Sequence, residues 1–203
     1  MAIKRLYSTG SVGDYGQIEL TQVIFTVDGR IEAQLPYVNA NGTALENGML
    51  VAVDHAANQI RLPGATEACP IGIHYSAEIM YDSRDKGLKN FCLKPNVANT
   101  GSDRLPLSKL NDADFYPRVG YLSVGEKFIT DTVCYDTEEF DDADAVELAI
   151  KAAGTTALYG GISTTGAILL SNTAPTAGPV LKVVKKFKLA NGEDAIKFAV
   201  IAE

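Results

Sequence analysis

The sequence predicts a mainly β protein, an antiparallel β-barrel or sandwich of about ten short strands with one short helical insertion. Three observations lead there. Apolar residues recur with period two, or in short buried runs, along most of the chain. Asp-Gly, Asn-Gly and Pro-Gly pairs punctuate those runs, and there are 18 glycines to supply turns. Helical spacing bounded by start and stop residues occurs in one place only, around 144–154. With 46% hydrophobic and 21% charged residues, a sizeable core can be buried and disorder is not the default.

Residues 1–16 read as a flexible arm, because Ser8, Thr9, Gly10, Ser11, Gly13, Asp14 and Gly16 offer no packing face. Val23, Phe25 and Val27 then alternate, Asp28-Gly29 follows, and Ile31, Ala33 and Leu35 alternate again, the pattern of a hairpin. After the turn chemistry of 39–43, the nearly all-apolar run Met49–Asp54 predicts a strand buried on both faces. Ile60–Leu62 is a short return strand ended by Pro63-Gly64, and Ile71–Tyr75 is another, with Pro70 at its start. Phe91–Leu93 is read as a further strand, stopped by Pro95.

Residues 95–117 form the longest loop, broken by four units of Pro or Gly chemistry at Pro95, Gly101, Pro106 and Pro117. Loops of this length are more often functional or ordered by a partner than idle. Arg118–Leu122 is a strand, Ser123–Glu126 a turn, and Lys127–Tyr135 one alternating strand with Phe128, Thr130, Thr132 and Cys134 on one face. In the helix, Asp144 is read as the cap with Glu147 three residues on, Val146, Ala149, Ile150 and Ala153 make the apolar face, and Gly154 stands at C′. At about nine residues it is too short to stand alone and must pack on the sheet. Leu158–Ile162 and Ala167–Leu170 are short strands. In the closing hairpin Leu181, Val183, Phe187 and Leu189 share one face, Lys182, Lys186 and Lys188 the other, and Asn191-Gly192 turns the chain toward Ile196, Phe198 and Val200. The organisation expected is an arm (1–16), a β-rich domain (17–136), and a helix plus β-meander (137–203) on the same or a second small domain.

The net charge of −7 argues against direct nucleic-acid binding, which needs clustered Lys and Arg. No run approaches a membrane helix and no secretory signal is visible, so synthesis in a cytosol is expected. Cys69, Cys92 and Cys134 are odd in number and widely spaced, which reads as buried free thiols rather than disulfides or a zinc site. His55 falls in a turn and His74 within a strand, each without a metal-ligand neighbour in sequence, and a Cys134–His74 thiolate pair has no support in the spacing. Catalytic motifs are absent, and the expectation is no catalytic residue, no metal and no cofactor.

Two charged features stand out. Asp131, Asp136, Glu138, Glu139, Asp141, Asp142, Asp144 and Glu147 lie in one stretch without Lys or Arg. Carboxylates are welcome beside a helix N-terminus, and the alternative is a docking patch for a basic surface. The lysines of the last hairpin read first as guards against edge pairing. The two could also meet between neighbouring subunits. The interface residues expected are Lys4, Arg5, Tyr7, Tyr15, Asp141, Asp142, Asp144, Lys182, Lys186 and Lys188.

One block carries a family resemblance. Asn47–Asp54, Gln59–Ala65 and Cys69–Ile73 run as glycine start, buried strand, aspartate, short hairpin and a Pro-Ile-Gly-Ile strand, and Val119–Phe128 repeats the glycine-spaced logic. This resembles the small β-barrel head decoration, or cement, proteins of tailed bacteriophages, over about a quarter of the chain. The resemblance implies a non-enzymatic virion structural protein, made in the host cytoplasm, that binds the major capsid protein on the outside of the shell and stabilises it. It also implies a homo-oligomer, since several such proteins work as trimers. Another phage structural subunit, such as a tail tube or head fibre protein, and a glycan-binding β module remain as alternatives.

Overall fold

A computed structural model describes residues 2–9, 15–38, 43–75, 116–190 and 192–203. The strand expected at Phe91–Leu93, Cys92 itself and nearly all of the 95–117 loop lie outside these residues. In chain order the elements are β1 (Ile3–Arg5), β2 (Ile18–Gln22), α1 (Phe25–Asp28), β3 (Ile31–Glu32), β4 (Leu50–Asp54), β5 (Gln59–Arg61) and β6 (Ile71–His74). They continue with β7 (Val119–Gly120), β8 (Lys127–Thr130), β9 (Val133–Asp136), α2 (Ala143–Ala152), β10 (Tyr159–Gly161), β11 (Ile168–Ser171), β12 (Val180–Lys188) and β13 (Asp194–Ala202). The protein is mainly β and sandwich-like, and its sheets do not close into a barrel.

The larger sheet has the order β1-β9-β11-β10-β12-β13-β8-β2, and the smaller β3-β7-β6-β4-β5. Pairing is antiparallel apart from β9 with β11. One core joins both sheets and the helix: Leu50 and Ile73 of the smaller sheet pack with Phe128, Ile168, Leu181, Phe198 and Val200 of the larger, and with Val146 and Ile150 of α2. The 137–203 segment therefore shares its core with the rest of the chain. A second cluster (Leu35, Tyr37, Leu45, Met49, Val51, Val53, Ile60 and Val119) lies across β4 from the first. Because β4 is wedged between two cores, both of its faces are apolar, as the Met49–Asp54 run predicts.

Several local expectations are corrected. Asp28-Gly29 is not a hairpin turn. Phe25–Asp28 is one helical turn, and Gly29, at φ 79°, caps it in the left-handed region where glycine has no Cβ penalty. Long-range packing wins over the local alternation here. The Phe25 ring lies against Gly120, where an added Cβ would sit 2.3 Å from it, and tilts against Tyr75 with centroids 5.1 Å apart. β2 and β3 consequently belong to different sheets. The run Lys127–Tyr135 is likewise two strands, because Asp131-Thr132 leaves the ladder to bond elsewhere. In order the two strands are separated by β11, β10, β12 and β13, so the sheet coils until β8 runs into β9.

The expected arm is not free of packing either. Ile3–Arg5 pairs with β9, while Ser8 and Tyr15 are buried. At α2 the cap is Asp142, whose carboxylate accepts from Ala145 N at 2.8 Å, rather than Asp144. The residue closing the helix, Ala153, is right-handed, and Gly154 takes no left-handed conformation.

Candidate functional site

Beneath the N-terminal segment is a buried polar hub. Arg5 Nη2 donates to Glu46 Oε2 at 2.9 Å and to Ser8 Oγ at 2.5 Å, while the Gly16 amide donates to the same Glu46 oxygen at 2.5 Å. Gln17 N donates to Asp131 Oδ1 at 2.6 Å, Thr130 Oγ1 to Gln17 O at 2.5 Å, and Thr132 Oγ1 to Asn47 O at 2.5 Å. His74, fully buried, donates from Nδ1 to Glu46 O at 2.9 Å. Burial depresses the His74 pKa to about 4 and raises the Asp131 carboxyl to about 6. These groups hold residues 2–9 and 15–17 onto the body. Arg5 and Tyr15, expected at an interface, are therefore internal, whereas Lys4 is exposed on the edge strand β1, where a lysine discourages further strand pairing.

The second group lies between α2 and β12. Tyr7 Oη donates to Glu147 Oε1 at 2.7 Å, and Lys186 Nζ reaches Glu147 at 2.8 Å and Asp194 at 2.9 Å. Lys186 is there because β12 bulges. Val183 opposes Phe198 but Lys185 already opposes Lys197, so Val184 is extra and the faces exchange beyond it. Lys186, opposite buried Ile196, turns toward α2, while Phe187 turns out and is 36% exposed. The expectation that Lys182, Lys186 and Lys188 share one face is thus overturned, as is the grouping of Phe187 with Leu181 and Val183. Tyr7 and Lys186 are committed internally, Lys188 pairs with Asp194 at 2.7 Å, and Lys182 is exposed. At Leu181 and Lys182, β12 is paired on both sides, by β10 and β13, so Lys182 guards no edge, whereas Lys185 to Lys188 pair with β13 alone. Asp141, Asp142 and Asp144 are exposed.

A third surface was not anticipated. Val27, Val124 and Ile24 are 85%, 60% and 57% exposed. A rigid pedestal gathers them. Glu126, buried, accepts from Ile24 N at 2.7 Å, from Ser123 N at 2.9 Å and from Arg30 Nη2 at 2.9 Å. Arg30 also bonds Ser123 Oγ and pairs with Asp28 at 2.7 Å, while Gly125 N donates to Val200 O at 2.9 Å. The buried carboxylate of Glu126, with Arg30 donating to it, fixes backbone on both sides of the patch. The sequence holds a signal in Val124, an apolar residue next to Gly125 in a turn, whereas the alternation of Val23, Phe25 and Val27 points to a strand and conceals Val27.

The remaining reactive residues are separately satisfied. Cys134 Sγ donates to Ala167 O at 3.5 Å, and burial pushes its thiol up to about 11. His74, bonded to Glu46 O, and Cys134 therefore have different partners. His55 is exposed in the turn after β4, and Cys69 is half-buried beside Arg61 rather than buried. Among the described residues no group of three or more His, Cys, Asp or Glu is disposed to hold a metal, and no helix is long and apolar enough to cross a membrane. No family profile, curated protein or solved structure matches the chain.

Proposed function

We propose that this chain is a structural virion protein, a capsid decoration protein that binds the outside of the major capsid shell and stabilises it. The observation that carries the reading is the apolar patch of Ile24, Val27 and Val124 held on the buried Glu126–Arg30 pedestal. Exposed apolar side chains on backbone anchored by buried hydrogen bonds suit protein docking, where little ordering entropy is lost on binding. The Gly48–Tyr75 block that resembles the decoration proteins supplies β4, β5 and β6 of the smaller sheet. Many copies on a repeating lattice would hold through multivalency even where each contact is weak.

The test is to mix purified protein with undecorated shells and measure sedimented stoichiometry and shell melting temperature. Saturation at a fixed ratio per lattice position and a higher shell melting temperature are expected. Val27→Asp and Val124→Asp should weaken binding by at least about tenfold while leaving the protein's own melting temperature unchanged, since both side chains are exposed. Absence of saturable binding, or no response to either substitution, would overturn the reading.

A further inference from the structure

The outward face of β8, β13 and β12 carries Lys127, Lys182, Lys185 and Lys197, with Phe187 among them. None of the four lysines has an ion-pair partner among the described residues; Lys185 lies 5.3 Å over the Phe187 ring. Lys185 and Lys197 are moreover direct cross-strand partners. Like charges set opposite each other destabilise a β pair. Lys127, Lys182 and Lys197 sit where their strands are paired on both sides, so these three guard no edge. An anionic counter-surface with an apolar centre would relieve the repulsion and cover Phe187.

The chain itself carries such a surface. On α2, Val146 and Ile150 face the core, and the opposite side shows Asp144 and, one turn on, Leu148, which is 68% exposed. Asp141 and Asp142 extend the acidic end, and no ion pair neutralises any of the three aspartates among the described residues. Each surface thus combines uncompensated charge of one sign with an exposed apolar residue, and the signs are opposite. Their placement excludes closure within one copy. α2 packs against the inward side of β12 through Glu147 and Lys186, so the helix and the lysine face lie on opposite sides of one sheet.

We infer that the lysine face of β8, β13 and β12 is the docking site for the exposed face of α2 of a second copy, a head-to-tail contact. Such a heterologous contact closes into a ring or continues as a filament, according to the rotation between copies. The inference does not rest on shell docking, which uses a different patch.

The experiment is analytical ultracentrifugation of the full chain at low and high salt. Association should weaken by at least about tenfold between about 50 and about 500 mM NaCl, because exposed charge pairs are screened. Two variants carry the decision: Lys182→Ser with Lys185→Ser and Lys197→Ser, and Asp141→Asn with Asp144→Asn and Leu148→Ser. Asp142 is left in place because it caps the helix. Each variant alone should be monomeric with an unchanged circular dichroism spectrum. Their equimolar mixture should form a one-to-one dimer and nothing larger, as each retains one half of the contact. A wild type that stays monomeric at low salt, or variants that associate like wild type, overturns the inference. So does a lysine face that binds a short DNA duplex while its substitution leaves association unchanged. Both variants keep Ile24, Val27 and Val124, so shell binding is scored independently.

Discussion

Asp131 is ionised at neutral pH inside the hub at a cost. Burial raises its carboxyl to about 6, against the bond from Gln17 N and the field of Arg5, with Glu46 adding repulsion. A folded-state pKa above the unfolded value means that the proton is held more tightly when folded. The stability from this group is complete below about 4 and is lost as pH rises through about 6. Asp131→Asn keeps an acceptor for Gln17 N, so it should stabilise the protein by about 1–3 kcal/mol at pH 7, with the gain vanishing near pH 4. Thermal melts across that window check it, and a destabilised variant at pH 7 would refute it. Glu67 behaves oppositely. Its carboxylate takes Arg61 at 2.7 and 3.0 Å and the amides of Gly64 and Cys69 at 2.9 and 3.0 Å, and Arg61 first among these holds it down at about 2. That contribution is present above about 4.5 and is lost as pH falls toward 2. Glu67→Gln should cost about 1–3 kcal/mol at pH 7 and progressively less in acid, read from urea unfolding at several pH values.

At the level of elements, the ends of α2 and the bulge of β12 decide what the surface offers. Asp142 caps α2, so Asp142→Ala should cost about 1 kcal/mol in chemical unfolding, whereas Asp144→Ala should change stability by only a few tenths. Equal costs would mean that the cap is misassigned. The helix start was legible within two residues because aspartates cluster there, but which of them turns back onto the backbone depends on the path of 139–142. The bulge at Val184 left no comparable mark. Lys-Lys-Phe-Lys reads as plain alternation, and only the register against β13 shows that Lys186 faces inward. The break at Asp131-Thr132 was hidden for a similar reason: its partners, Gln17 and Asn47, are about a hundred residues away in sequence.

Taken whole, the molecule depends on its first residues. β1 extends the larger sheet and brings Arg5 to Glu46, a carboxylate whose side chain is 4% exposed. Deleting residues 2–9 removes the Arg5 guanidinium from that buried carboxylate, and should cost about 3–5 kcal/mol in equilibrium unfolding at pH 7. A loss below about 1 kcal/mol would show that the segment is only draped over the body. The larger core makes the C-terminal hairpin indispensable, since Leu181, Phe198 and Val200 pack with Leu50 and Ile73.

The amino-acid pattern was sufficient for the β class, the doubly buried β4, the terminal hairpin and the short helix, because each depends on periodicity, burial or turn chemistry within a few residues. Membership of sheets, the facing of Lys186 and Phe187, the docking of the N-terminal segment and the patch around Val27 came from contacts between residues far apart in the chain. Phe25 folds into a helical turn because Gly120 leaves room for its ring, and β12 shifts register against a strand that follows it. A local reading weighs propensity over a few residues, whereas these outcomes are set by which distant surfaces pack without voids and without unpaired charge.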